Sequence, residues 1–149
     1  MIMGNFQMLG HRINSIEGVW SDDNFPMSQA VVEPDGRRVH LTGQVAWTKD
    51  CEIVGQGNAE KQTCAAINNI EKVLAGLGGT IADVVSTTMY YVRDNDLDAI
   101  QEVRRARFAT DAGPAVTGVR VSSLVDPGLL VELTVIAVIP YDRFQVPLS

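Results

Sequence analysis

From Ser28 to Ile139 the chain switches between two hydrophobic patterns, one typical of strands and the other of helices. Residues 28–33 and 38–45 flank Pro34-Asp35-Gly36, where an early proline and a late glycine predict a β-hairpin. Three further runs are rich in β-branched and apolar residues, and we expect each to form a strand. These runs are residues 83–93, 115–123 and 129–139.

Two segments instead carry apolar residues at helical spacing. The first begins after Asn58, a predicted N-cap, and ends at a run of glycines that starts with Gly76. Its apolar stripe is Ala66, Ile67, Ile70, Val73, Leu74 and Leu77. The second follows Asp94-Asn95-Asp96, and its inner stripe is Leu97, Ile100, Val103 and Ala106.

The predicted order is β-β-α-β-α-β-β, which indicates an α+β fold with a mixed sheet and both helices on one face. The last strand is apolar on both faces, and Leu130, Ile136 and Val138 lie on the second one. Two helices cover only one face of a sheet. We therefore expect the second face to be a subunit interface in an oligomer of closed symmetry.

Composition narrows the possible partners. The chain has 149 residues, a size expected for one domain spanning 1–149, and residues 1–27 read as an N-terminal extension without a clear pattern. The net charge of -6 argues against a nucleic-acid partner. The one dense basic cluster is Arg104, Arg105 and Arg107 near a helix end, where we expect solvated arginines rather than the alternative, a phosphate-binding site.

Cysteine and histidine usage predicts neither a metal site nor a cofactor. Cys51 and Cys64 match no ligand spacing with each other or with His11 and His40. Two unpatterned cysteines favour a reducing compartment, so we expect a cytoplasmic protein. No apolar run is long enough to span a membrane, and the N-terminus lacks the features of a signal peptide.

As a set, five segments resemble the Rid family, also called the YjgF-like or L-PSP group. They are 41–45 (LTGQV), the helix 66–79, 83–94 (DVVSTTMYYVRD), 113–115 (GPA) and 130–138 (LVELTVIAV). The resemblance spans about residues 26–140. It implies a chorismate-mutase-like fold with two helices on one side of the sheet. It also implies a homotrimer with three small-molecule clefts between subunits, and a founding activity of imine and enamine deamination.

The resemblance keeps one part of the family's site. Thr42 stands where a serine or threonine precedes Gly43 and Gln44, and Glu132 stands where a glutamate helps to position the attacking water. Gln101 replaces an asparagine of the second helix. A non-functional alternative for Glu132 is a solvated or ion-paired carboxylate at a subunit edge.

The family's anion clamp is missing. Val116 occupies the position of the arginine that holds the substrate carboxylate, Met27 that of a tyrosine, and Gly118 that of a cysteine or other small residue. A lost bidentate charge pair would weaken binding of a 2-imino acid by several orders of magnitude. We therefore expect a more apolar cleft that takes a neutral or larger substrate, with Thr117 and Gly118 beside Val116.

Arg120 is a candidate replacement for that clamp, because it lies on the same strand face as Val116. Four residues of strand, however, separate the two positions by about 13 Å. A surface or interface salt bridge is the competing interpretation. Arg93 is a weaker candidate of the same kind.

Three functions follow, in decreasing order of expectation. The first is a Rid-type enzyme that adds water to a C=N or related carbon, with Glu132 positioning the water. The second is a non-catalytic, metabolite-binding or regulatory trimer that uses the same cleft as a sensor or a partner-docking surface. The third is the ribonuclease or translation-inhibitor role of some relatives, which the acidic charge argues against.

Overall fold

A computed structural model describes residues 10–108 and 113–147. Its main sheet has four strands, β3 (Arg37–His40), β4 (Val84–Tyr91), β5 (Ala115–Arg120) and β6 (Val131–Ile139). Their spatial order is β3-β6-β4-β5. β5 runs parallel to β4, and β6 runs antiparallel to both β3 and β4, so the predicted mixed α+β sheet is confirmed.

Helices α1 (Ala59–Gly76) and α2 (Leu97–Arg107) pack on one face of this sheet, as predicted. The core combines apolar side chains from α1, α2 and alternate positions of β6. The β6 residues in it are Val131, Leu133, Val135 and Ala137. Their neighbours Glu132, Thr134 and Ile136 therefore point to the opposite, open face of the sheet.

Both ends of α1 are set by the residues that the sequence indicates. The Asn58 side chain caps the first turn by accepting a hydrogen bond from the Lys61 backbone N–H at 2.9 Å. At the other end Gly78 adopts φ +82°, and the Gly79 N–H donates to the Leu74 carbonyl at 2.8 Å. Glycine is favoured at this left-handed position because it has no Cβ.

The predicted hairpin around Pro34-Asp35-Gly36 is wrong. The strand before the turn, β2 (Ala30–Val32), pairs with an unpredicted strand, β1 (His11–Ile13), in a separate two-stranded sheet. β3 pairs with β6 instead, because that long apolar strand offers a full ladder of partners. The turn connects two sheets rather than two paired strands.

The predicted second apolar face is only partly correct. Leu130 and Val138 are buried within the protomer, at 7% and 2% exposure, and Leu130 joins the main core. The open face carries polar side chains at the centre of the sheet, among them Thr88 and Thr134, which are paired across β4 and β6. Ile136 alone of the three predicted residues stays half-exposed there.

The predicted solvation of the arginine cluster is wrong for Arg104, which is fully buried. Its guanidinium lies 5.2 Å from the Phe25 ring centre and donates a hydrogen bond to the Gln101 Oε1 at 2.7 Å. The hydrophobic stripe of α2 therefore turns toward Arg104 and Phe108, and Ala106 is exposed. Segment 24–26, which covers this side of the helix, could not be located from the sequence pattern.

Candidate functional site

An irregularity between β3 and β6 places a glycine against the Glu132 carboxylate. His40 pairs with Ile136 and Gln44 with Leu133, so residues 41–43 on one side face only residues 134–135 on the other. One extra residue of this kind forms a bulge, which changes the local direction of the backbone. A Cβ built on Gly43 would overlap Glu132 Oε1 and lie 2.9 Å from its carboxyl carbon.

Residue Glu132 is half-buried, and its carboxylate makes no hydrogen bond or ion pair with any described residue. On the open face of the sheet it lies opposite Tyr90 of β4. A carboxylate held against backbone but left unpaired is available to accept a proton or to orient a water molecule.

Glu132 lines a cleft of about 520 Å³, which we call the Glu132 cleft. The bulge forms one wall, the loop after Val45 a second, and α1 a third. Several of its residues are predicted site residues or their neighbours, and the whole set is Thr42, Gly43, Gln44, Val45, Trp47, Thr48, Lys49, Asn69, Lys72, Val73, Val125 and Glu132.

A second group of predicted residues meets where the chain before β2 docks on the start of β5. The Ser28 N–H donates to the Pro114 carbonyl at 2.9 Å, and its hydroxyl donates to the Gly113 carbonyl at 2.5 Å. Gly113 must be glycine here, because a Cβ would overlap the Pro26 carbonyl. This docking brings Met27 beside Val116.

Met27, Val116 and Thr117 line this second cleft, the Val116 cleft, whose volume is about 410 Å³. Trp20 also lines it and is 70% exposed. The register of β5 on β4 places Val116 on the helix side, paired with Thr87, and Thr117 on the open side, paired with Thr88. The walls are therefore apolar and hydroxyl-bearing, without a charged side chain.

The remaining predicted residues line neither cleft. Gln101 turns its amide oxygen to Arg104, and Gly118 lies over Met89. Arg120 forms an exposed ion pair with Asp94 at 3.2 Å, the competing interpretation of that residue. Arg93 also forms an ion pair, with Asp96 at 2.7 Å.

Sequence reasoning missed the lysines and the α1 face of the Glu132 cleft. Asn69, Lys72 and Val73 lie at i, i+3 and i+4 on α1, so they share one face. Polar residues on an outer helix face look like ordinary solvated positions, which is why the pattern did not single them out. The signal available was the short Trp47-Thr48-Lys49 segment, which begins four residues after the predicted site residue Gly43.

Within residues 10–108 and 113–147, no group of three or more His, Cys, Asp or Glu side chains is placed to hold a metal ion. No helix in the same residues combines the length and apolar character needed to cross a membrane.

The fold is that of a known family. A profile of the family described as Endoribonuclease L-PSP matches residues 23–139. The chain therefore belongs to this family, the Rid or YjgF-like group, and the resemblance found in the sequence is confirmed.

Several members are similar over most of their length. A RutC family protein from Pyrococcus abyssi is 31% identical over 112 residues, which cover 75% of this chain and 85% of the relative. Human 2-iminobutanoate/2-iminopropanoate deaminase is 25% identical over 113 residues, covering 76% and 80%. A Rid-family protein of unknown function from Yersinia pestis has a solved structure with a TM-score of 0.79 and 32% identity, covering 89% and 100%.

Proposed function

We propose that this protein is a hydrolase that converts an imine or enamine to a carbonyl compound in the Glu132 cleft. The observation that carries the proposal is Glu132, a half-buried residue whose carboxylate lies against Gly43 and has no hydrogen-bond or ion-pair partner among the described residues. The human relative is named as a deaminase of small 2-imino acids, which supports the reaction class.

The reaction needs one proton acceptor and one water molecule. Glu132 would accept a proton as the water oxygen bonds to the imine carbon, giving a tetrahedral carbinolamine. Proton transfer to nitrogen then lets the C–N bond break, and the carbon keeps the oxygen as a carbonyl. Ammonia leaves, and the carboxylate returns to its starting state. The Thr42 hydroxyl and the backbone of Gly43 border the same cleft and would orient the substrate.

The substrate would differ from a standard 2-imino acid. Val116 stands where the resemblance places a carboxylate-binding arginine, and Met27 and Val116 line an uncharged cleft. A substrate without a carboxylate on that side, or with its carboxylate placed elsewhere, fits such walls better.

We also propose that the chain acts as a homotrimer whose sites lie between subunits. Predicted site residues fall into two separate clefts on one protomer, as expected if each site combines the Glu132 cleft of one subunit with the Val116 cleft of the next. Exposed apolar side chains border both clefts: Val125 at 78% and Val73 at 39% in one, Trp20 at 70% in the other. Light scattering should give three times the chain mass of 16.2 kDa. The free cysteines Cys51 and Cys64 favour a cytoplasmic location.

A panel of freshly generated imines tests the proposed activity. The panel should include 2-iminobutanoate, a neutral imine and an imine with a more distant carboxylate, each assayed for ammonia release above the uncatalysed rate. Acceleration of at least one imine is expected. If none is accelerated by a protein shown to be trimeric, the enzymatic proposal fails.

A non-catalytic metabolite-binding trimer is the second candidate, because the Glu132 cleft is a concave site whether or not chemistry occurs in it. It would show binding of a metabolite without turnover. The ribonuclease role ranks last, since the net charge is -6 and each arginine in the described residues contacts another protein group. RNA degradation that is lost on a substitution in the Glu132 cleft would reverse this order.

A further inference from the structure

The positively charged side chains of the molecule differ in whether they contact other protein groups. Every arginine in the described residues makes a hydrogen bond, an ion pair or an aromatic contact. The chain has three lysines, Lys49, Lys61 and Lys72. Two of them, Lys49 and Lys72, line the Glu132 cleft, and neither pairs with another described residue. In an acidic protein, two unpaired ammonium groups in one concave site favour an anion there.

The walls that carry these lysines are tied together. The Asn69 side-chain amide donates hydrogen bonds to the carbonyls of Val45 at 3.0 Å and Trp47 at 3.1 Å. This contact fixes the Lys49 loop to helix α1, which carries Lys72 one turn beyond Asn69. The lysine stems are exposed, but the backbone positions from which they extend are held in place.

The turn that presents Lys49 is also closed on itself. The Thr48 hydroxyl accepts hydrogen bonds from the backbone N–H groups of Asp50 and Glu52, both at 3.2 Å. The Thr48 N–H donates to the Glu52 carbonyl at 2.9 Å. Because the loop does not have to be ordered when a ligand binds, less of the binding free energy is lost to conformational entropy.

Charge balance points to a ligand with a single negative charge. The two lysines contribute two positive charges and Glu132 contributes one negative charge, so the cleft carries an excess of one positive charge. One carboxylate on the ligand would neutralise it. The apolar side chains of Val73 and Val125 in the same cleft suit the rest of a small organic acid.

We propose that Lys49 and Lys72 are the anion clamp of this protein, and that they hold the substrate carboxylate on the Glu132 side of the site. This assignment rests on the proposed function for the identity of the substrate, and it deepens it. The substrate class becomes a small carboxylate-bearing imine whose carboxylate faces the lysines rather than Val116. The corresponding oxo acid, the hydrolysis product, should occupy the same place.

Calorimetric titration with two probes tests the clamp without requiring turnover. The probes are 2-oxobutanoate and its uncharged analogue 2-oxobutanamide, titrated into the full-length protein in low-salt buffer. The oxo acid should bind more tightly than the amide, and its affinity should fall as ionic strength rises. Lys49→Gln and Lys72→Gln should each weaken oxo-acid binding about tenfold, equivalent to about 1.4 kcal/mol, and leave amide binding unchanged.

Lys61→Gln is the matched control, because Lys61 lies on α1 outside the Glu132 cleft and the substitution removes the same charge. If Lys61→Gln weakened oxo-acid binding as much as the other two substitutions, the effect would come from net charge alone, and the clamp proposal would be wrong. The proposal would also be wrong if acid and amide bound equally well, or if the acid showed no detectable binding at millimolar concentration.

A carboxylate of a neighbouring subunit is the other possible partner of the lysines, and light scattering separates it from a ligand. If Lys49→Gln or Lys72→Gln dissociates the oligomer, the lysines pair across an interface and the clamp is wrong. The clamp and the hydrolase activity can also be refuted independently. Lysine-dependent binding without ammonia release would support the anion site and refute the hydrolase activity. Turnover that is insensitive to both lysine substitutions would support the hydrolase activity and refute the clamp.

Discussion

Gly43→Ala should damage activity while leaving the fold intact. Gly43 does not have a positive φ, so its backbone accommodates alanine, and the obstacle is the Glu132 side chain. The new Cβ would overlap Oε1 and lie 2.9 Å from the carboxyl carbon. That carbon must retreat by about 0.6 Å to reach ordinary carbon–carbon contact at about 3.5 Å, and the overlapping oxygen must move further.

A displacement approaching 1 Å at a reacting group reduces turnover by about 10²-fold. The side chain is flexible, so we expect the free energy of unfolding to change by no more than about 1 kcal/mol. Ammonia release measured beside thermal unfolding separates the two effects. Gly76→Ala serves as control, since its Cβ would meet nothing closer than Pro147 at 3.8 Å.

A double substitution sharpens the result. If Gly43→Ala acts through the carboxylate, it should add little to the loss already caused by Glu132→Gln, because both changes disable one group. Full activity in Gly43→Ala, or independent and additive losses, would refute the inference that the glycine serves the carboxylate.

Two further predictions concern the arginine missing at Val116 and the buried Arg104. Val116→Arg should raise ammonia release from small 2-imino acids in a variant that keeps the oligomeric state of the wild type; no gain would mean that the site differs from the family's by more than this one residue. Burial lowers the pKa of Arg104 to about 10, so its buried charge decreases the free energy of unfolding at neutral pH, and this penalty declines as the pH rises through about 10. The free energy of unfolding of Arg104→Met should therefore lie within about 1 kcal/mol of the wild-type value, whereas that of Arg104→Ala should fall by about 2–4 kcal/mol because the substitution leaves a cavity. A larger loss for Arg104→Met in denaturant titration would show that the charge itself is needed.

Elements whose two ends carry recognisable capping or turn residues could be predicted from the sequence. Asn58 and the glycines from Gly76 bound α1, and the β-branched run in β4 has few alternatives to a strand. β1 was missed because His11–Ile13 is too short to show alternation, and it forms only because β2 pairs with it. The hairpin prediction was wrong because turn residues specify only a reversal of chain direction, whereas strand pairing depends on partners that are distant in the sequence.

The site was predictable only in part, for a similar reason. Glu132 stands out as a charge in an apolar strand, and Gly43 lies beside it because of a bulge that no local pattern reveals. In the sequence, Lys72 has the pattern of a solvated helix position. Its place in the cleft is evident only in the structure, where the Asn69 contacts hold the Lys49 loop against α1.

We propose that the Glu132 carboxylate performs the chemistry, and the Glu132→Gln variant separates this role from ligand binding. The measurement is kcat for ammonia release from the best imine, taken together with the affinity for 2-oxobutanoate. We expect kcat to fall about 10²-fold or more, as for loss of a general base, with oxo-acid binding retained. An unchanged kcat in this variant would rule out Glu132 as the reacting group.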